Sequence, residues 1–519
     1  MKLVWLVNSI LPQIAAAQGH EGGVIGGWTV QLADYLSQRE DISFTVFYPQ
    51  QSTRDLIRGR TGNIQYVGFY EEAAPELLYN YGMEEVFRQE LEGIQPDLVH
   101  IWGTEFVHSL CMVRAFDNPD RTVISLQGLM NPYSKAYLAE LPQSVISRHT
   151  FRDRLRKDSI LEQQRKFRIR GRFERVALRL VHHVIGRTDW DRNEVLRMNP
   201  NLKYHHCREI LRREFYWIPE NTEKDGLLSA DSAGKSAIDG LVQKPPEHLL
   251  SADSARKSAI DGLVQKPPEH LLSADCTGES LNDGTAQKSR KDLQSEGYDS
   301  ESAGAKEGED GLVWRLDACQ RHSIFLTQSY YPIKGMHFAL RGLRLIKRKY
   351  PDALLYVSGV DIIPRSLKGR LKQGSYSLYI EELIERLDLQ DSVIFVGEKA
   401  AQDMVRQYLS ANVFLMASSI ENSPNSLGEA MILGLPCVAS RVGGIPSMLM
   451  DEKEGFLYNY NKPAEMAKRI IEIFEMPDQE LCRMTERARV HAADSYSRSL
   501  GLNDYLRTYG DILGEDIIN

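Results

Sequence analysis

Two carboxylates, Glu421 and Glu429, flank a run of small polar residues in SSIENSPNSLGEAMILGLPCVAS (418–440), which passes into a short apolar helical pattern closed by Gly434 and Pro436. The stretch follows the strand pattern VFLMAS, so it occupies the carboxyl end of a strand, where open α/β sheets bind ligands. A helix starting near Leu427 leaves its first N–H groups unpaired at the positive end of the macrodipole, an anion site suited to a diphosphate. Carboxylates repel phosphate, so the glutamates must face another part of the ligand. Vicinal hydroxyls fit, because one carboxylate accepts two O–H bonds and charge-assisted bonds are the strong class. A diphosphate with polyols on both sides is a nucleotide sugar. The same residues also admit a structural reading, with Ser426 as N-cap, Glu429 reaching back in a capping box and Glu421 a solvent-facing loop residue.

A second loop bears on that choice. IFLTQSYYPIKGMHFAL carries a strand into a helix start and delivers Lys334 and Gly335, where a lysine neutralises phosphate as a point cation. In GGVIGGWTVQLADYL, Gly26 and Gly27 stand at another helix start, open to backbone approach by a ligand or to close helix packing. The dinucleotide fingerprint G-x-G-x-x-G is absent there. Neither a close catalytic carboxylate pair nor a Ser-His-Asp arrangement nor a metal-ligand cluster is evident, and His100 and His108 read as packing residues.

The elements that must position these loops follow a βαβ rhythm. LVWLVNS, ISFTVFYP, IQYVGFY, DLVHIWG, TVISLQG and HVIGRT alternate with helical patterns up to about residue 215, and the rhythm resumes at SIFLTQ. The expected fold is α/β: two Rossmann-like doubly wound domains, 1–219 and 313–490, facing a cleft, with a C-terminal helix in 491–519 packing back towards the first. Between them, 227–248 recurs as 249–270 with Gly234 replaced by Arg256, and LLSADC at Leu271 opens a decayed third copy. Pro-Pro steps and Ser, Ala, Asp and Lys offer no stacking ridge, so 220–312 is expected to be a disordered or weakly helical repeat insertion without chemistry.

The 519 residues, with 42% hydrophobic and 26% charged, suit a globular protein of two domains plus an insertion, and a net charge of −8 gives no reason to expect a nucleic-acid partner. Six scattered cysteines suit a reducing compartment. LVWLVNSI, broken by Asn8 and Pro12, reads as a buried first strand rather than a signal peptide, and no apolar run reaches membrane-spanning length. The exception to the charge balance is 148–179, with twelve cations against four acids, which is either a solvated helix face or a surface for anionic head groups or a phosphorylated acceptor.

The segment 418–440 resembles the E-x7-E segment of the family-four retaining glycosyltransferases, the glycosyl transferases group 1, and YPIKGMHFAL, LLYVSG, VIFVGE and VGGIPSMLMDEKEGFLY follow in that family's order. The similarity covers nearly all of 322–475 and is weaker in the first domain, through GGW, DLVHIWGTEFVHS, VISLQG and HVIGRTDWD. It implies the two-Rossmann GT-B fold, ribose bound by Glu429, donor sugar by Glu421, and diphosphate by the backbone of Asn425, Ser426 and Leu427 and by Lys334, with Gly26, Gly27, Gly335 and Gly397 in the donor set. Two departures stand out: Gln328 or Ser329 replaces the arginine that usually precedes that lysine, and Gln127 stands where a first-domain histidine is usual. Arg187 could supply the missing cation on domain closure, so Gln127 and Arg187 are sugar or acceptor contacts. The implied activity is transfer of a hexosyl unit from a UDP- or GDP-hexose, with retention and without a metal or cofactor. The acceptor would be a saccharide or lipid-linked saccharide of surface polysaccharide synthesis, and the enzyme cytoplasmic and peripheral at the inner face of the membrane. The rivals are a phosphorylase or glucan synthase on the same fold and a catalytically silent binding or scaffold protein.

Overall fold

The computed structural model describes residues 1–20, 27–72, 78–216, 312–364 and 366–517. Gly26 and the repeats lie outside them, as does 220–312 apart from Leu312. Eight strands form the first sheet: β1 (Lys2–Leu6), β2 (Ser43–Gln50), β3 (Ile57–Thr61), β4 (Ile64–Tyr70), β5 (Leu98–Trp102), β6 (Thr122–Ser125), β7 (His183–Gly186) and β8 (Lys203–His206). Their order is β3-β4-β2-β1-β5-β6-β7-β8, parallel except for β3 against β4. The second sheet, β9 (Ser323–Thr327), β10 (Leu354–Ser358), β11 (Val393–Gly397), β12 (Val413–Met416), β13 (Cys437–Ser440) and β14 (Phe456–Tyr458), is wholly parallel in the order β11-β10-β9-β12-β13-β14. The two doubly wound sheets expected from the rhythm are therefore present.

The central strands read as unbroken apolar runs because helices cover both faces of each sheet. β1 pairs Trp5 with Val46 on one side and His100 on the other, and four of its five residues are buried. β3 and β8 have no such run. IRGRT alternates Arg58 and Arg60 outward on an edge, which also blunts that edge against pairing. KYHH at the other edge is half exposed.

The final helix, Arg498–Leu513, returns to the first sheet. Tyr509 is fully buried there, its hydroxyl 3.2 Å from Trp5 Nε1 and 2.6 Å from His100 Nδ1, while His100 Nε2 meets Ser125 Oγ at 2.7 Å. His100 is thus a satisfied core residue, and burial depresses it to about 3. His108 is likewise enclosed, with Glu71 at 2.8 Å and Asn8 at 2.9 Å.

The basic stretch folds as two helices, Phe151–Arg156 and Ile160–Arg179, each opened by a capping box, Thr150 with Asp153 and Ser159 with Glu162. Glu174 lies on the inner face of the longer helix and is 1% exposed. It accepts the N–H groups of Met130 (2.8 Å) and Asn131 (3.0 Å) and the Thr104 hydroxyl (2.9 Å), so it caps the helix Met130–Ala136 from another element. That helix carries Tyr133, whose hydroxyl accepts the Asn422 N–H of the second domain at 3.0 Å.

Burial raises the Glu174 carboxyl from 4.5 to about 7, against the pull of its three donors. A carboxyl whose folded pKa is raised contributes most below its unfolded pKa and loses that contribution as pH rises through the folded one. Wild-type stability should therefore fall between pH 5 and 8 by on the order of 3 kcal/mol more than that of Glu174→Gln, which has no such titration. Urea denaturation at several pH values checks this. Equal slopes would mean that the helix N–H groups hold the carboxylate ionised.

Candidate functional site

The 418–440 stretch leaves β12, crosses a loop and enters the helix Asn425–Ile432, which closes at Gly434 with Leu435 N–H donating to Ala430 O at 2.9 Å. The helix begins two residues before the expected Leu427, and its N-cap is Pro424, with no side-chain cap. Ser426 therefore lies inside the first turn, and the capping-box reading of Glu429 does not hold. Its carboxylate instead meets Arg212, with Oε1 accepting Nη2 at 2.7 Å and Nε at 3.0 Å, while Oε2 lies 3.1 Å from the Tyr408 hydroxyl. Burial pushes the Glu429 carboxyl above the usual range, and Arg212 and Tyr408 pull it back.

Glu421 is held in the same manner. Its Oε1 accepts Lys334 Nζ at 2.7 Å and the Ser418 hydroxyl at 2.7 Å, and it is 5% exposed, so it is not a solvent-facing loop residue. Two close approaches produce this. Gly335 has φ +73°, and a Cβ there would lie 1.8 Å from Ala417 O, so only glycine lets the 332–335 turn lie on the exit of β12. Ser419 N–H then donates to Ile333 O at 2.8 Å, which sets Lys334 beside Glu421. From the other side Gly443 and Gly444 press onto the loop, their Cβ positions 1.8 Å from Glu421 O and 2.0 Å from Asn422 O.

Asn422, 1% exposed, ties this loop to the first domain. Besides the Tyr133 bond, its Nδ2 donates to Gln127 O (3.3 Å) and its Oδ1 accepts the Thr188 hydroxyl (3.2 Å). Gln127 Oε1 also lies 3.4 Å from Arg187 Nη2. Arg187 is ion-paired with buried Glu209, donates to Leu126 O at 3.0 Å, and opens onto a cavity of about 420 Å³ lined by Thr188, Arg192, Tyr204, His206 and Ser447 among others. Neither Lys334 nor either glutamate lines that cavity.

Of the remaining candidates, Asn425, Ser426 and Leu427 form the first turn, with Asn425 Oδ1 buried and unpartnered among the described residues. Gly397 ends β11 at φ +74° with open space around it, and Gly359 N–H donates to its carbonyl at 3.0 Å. Gly27 begins the helix Gly27–Ser37. The structure thus joins Lys334 and Gly335 to the loop that carries Glu421, puts Glu429 on the helix that begins at Asn425, and places Gln127 and Arg187 across the Asn422 contact.

Sequence reasoning missed Arg212, Tyr408 and Asn422. It also passed over Glu105, which follows β5, accepts Gly128 N–H at 2.8 Å and Asn8 Nδ2 at 3.2 Å, and is raised by burial. One signal was legible. VGGIPSM has adjacent glycines beyond what a turn needs, which marks a close backbone approach.

Removing one partner of the Arg212–Glu429 pair leaves the other charge buried and uncompensated. Glu429→Gln and Arg212→Gln should each lower stability by about 1–3 kcal/mol, and the double variant should cost less than their sum. Denaturant midpoints of the four proteins check this. Strict additivity would mean the pair is not coupled.

Residues 321–491 match the family model described as glycosyl transferases group 1. The N-acetyl-alpha-D-glucosaminyl L-malate synthase of Bacillus anthracis is 32% identical over 139 residues, which are 26% of this chain and 35% of that protein. A glycosyltransferase of Escherichia coli K12, whose name assigns it to colanic acid biosynthesis, is 25% identical over 173 residues, 32% of this chain and 39% of that protein. The chain thus spans little more than a third of the length of the curated relatives it matches. Anabaena HepE, solved in complex with UDP, superposes with a TM-score of 0.53 at 14% identity over 98% of this chain and 100% of that one, a likeness of fold. Residues 321–491 belong to the glycosyl transferases group 1 family, and the chain that carries them has the GT-B fold.

Proposed function

We propose that the chain is a retaining glycosyltransferase that moves a hexosyl unit from a nucleoside-diphosphate sugar to a saccharide or lipid-linked acceptor, in the synthesis of a surface polysaccharide. The observation that carries this reading is the pairing of both carboxylates with cations at one helix N-terminus, Glu421 with Lys334 and Glu429 with Arg212. A diphosphate entering there supplies anions for the cations, and its ribose and sugar supply hydroxyls for the carboxylates, so each charge exchanges one partner for another. Lys334 and the first-turn N–H groups of Asn425, Ser426 and Leu427 then stabilise the departing diphosphate.

The catalytically silent alternative keeps the binding and loses the turnover. Release of nucleoside diphosphate from a panel of UDP- and GDP-hexoses separates the two. The transferase reading expects release from at least one donor, slowed about a hundredfold or more by Lys334→Ala. No release from any donor, with binding retained, favours the silent protein.

The acceptor reading includes a membrane surface. On the helix Ile160–Arg179, Leu161, Arg165, Arg168, Arg172, Arg175 and Arg179 are all exposed at spacings of four and three, which puts them on one face about 27 Å long. The five arginines have no ion-pair partner among the described residues, whereas Arg148, Arg152 and Lys166 are paired and Arg170 lies 5.2 Å from the centre of the Phe106 ring. On the preceding helix Phe151–Arg156, Phe151 and Leu155 are 72% and 74% exposed. Among the described residues no helix is long and apolar enough to cross a membrane. We assign this face to anionic lipid head groups, with the protein peripheral at the inner membrane surface. Co-sedimentation with phosphatidylglycerol vesicles should fall as salt rises. Equal binding to phosphatidylcholine vesicles removes the assignment.

A further inference from the structure

The donor reading leaves a charge to be found. The loop after β9 carries Lys334 as its one cation, because Gln328 and Ser329 ahead of it are neutral. Gln328 is held at φ +61° with its N–H on Ser358 O at 3.1 Å, and Ser329 is fully buried. Arg187, the substitute suggested by the sequence, is committed to Glu209, Leu126 O and Gln127.

We propose that Arg212, in the last described segment of the first domain, is the second phosphate-binding cation of the donor site, parked on Glu429 while the site is empty. The inference rests on the nucleotide-sugar reading above. Glu429 is the fifth residue of the helix Asn425–Ile432, and helical side chains lean towards the N-terminus, so its carboxylate brings the guanidinium to the first turn, where N–H groups lack intrahelical partners. The guanidinium lies over the Phe215 ring, 4.8 Å from its centre, and Phe215 in turn meets Tyr408 edge-on at 5.8 Å, which fixes the direction from which the arginine approaches Glu429. Arg212 keeps 19% of its side chain in solvent while Glu429 keeps 7%, so the arginine is the member of the pair that can turn away. It also covers the carboxylate. Ribose hydroxyls reach Glu429 only as Arg212 releases it, and the nearest anion for the released guanidinium is the diphosphate attached to that ribose. A planar fork suits phosphate oxygens bidentately, a geometry a lysine lacks.

This exchange predicts that Arg212 acts on the diphosphate and not on the nucleoside. Calorimetric titration with uridine and UDP, and with guanosine and GDP, reads the preference for the diphosphate form. In Arg212→Gln that preference should fall about tenfold or more, with nucleoside affinity unchanged or improved, and Arg212→Lys should recover part of it. Equal weakening of nucleoside and nucleotide would reduce Arg212 to a positioning partner of Glu429, and equal tightening would reduce it to a plug; either overturns the proposal. If Arg212→Gln does not fold, the same ratio is compared between Glu429→Gln and Glu429→Gln/Arg212→Gln, where no buried charge is stranded. A wild-type protein that binds neither UDP nor GDP overturns the donor reading itself, whereas nucleotide binding with parallel losses overturns only the role of Arg212.

Discussion

Two buried carboxylates, each closed by one cation, set the terms for the rest of this molecule. Glu421 and Glu429 are 5% exposed, and an unpaired charge at that depth would be prohibitive. Lys334 and Arg212 remove the cost, and they come from opposite directions: Lys334 from the loop after β9 in the same sheet, Arg212 from the end of the first domain. The position of the 421–429 loop is therefore an electrostatic solution as well as a packing one.

The backbone is shaped to permit this pairing. Gly335, Gly443 and Gly444 bring two neighbouring loops within contact of the β12 exit at distances no side chain tolerates. Asn422, between the glutamates, spends its amide N–H, Nδ2 and Oδ1 on Tyr133, Gln127 and Thr188 of the first domain. Tyr133 in turn depends on a helix capped by Glu174 from the basic helix Ile160–Arg179. One face of that helix supports the domain contact and the other presents arginines that have no ion-pair partner among the described residues. A cationic surface is thus mechanically continuous with the site.

A site whose charges are mutually satisfied is stable when empty and still suited to a zwitterionic pattern of contacts. Anion and hydroxyl groups carried on one ligand can take over both halves of each pair without leaving a charge stranded. A ligand with only one kind of group leaves a buried partner unsatisfied, and such unmade bonds carry the larger penalty. On the nucleotide-sugar reading proposed above, this asymmetry is what would select a diphosphate flanked by polyols.

The two doubly wound sheets were legible because central parallel strands buried on both faces must be apolar runs between helical patterns, as LVWL, LVHIW, SIFLT and VFLM are. Edge strands β3 and β8 were not, since a strand with one free side needs no such run. Glu421, Glu429, Lys334 and Gly335 could be picked out locally because each lies in the connection that leaves its own strand, and the ligand-binding edge of a parallel sheet is known in advance. Local spacing misjudged the start of the helix, as Pro424 supplies an N-terminus two residues earlier than a Ser426 cap would. It equally could not find Arg212, 217 positions from Glu429 and on the far side of the 22-residue repeats, in a sequence rich in arginine. Which cation meets which carboxylate is decided by the approach of two domains, and an ion pair leaves no spacing in the chain to read.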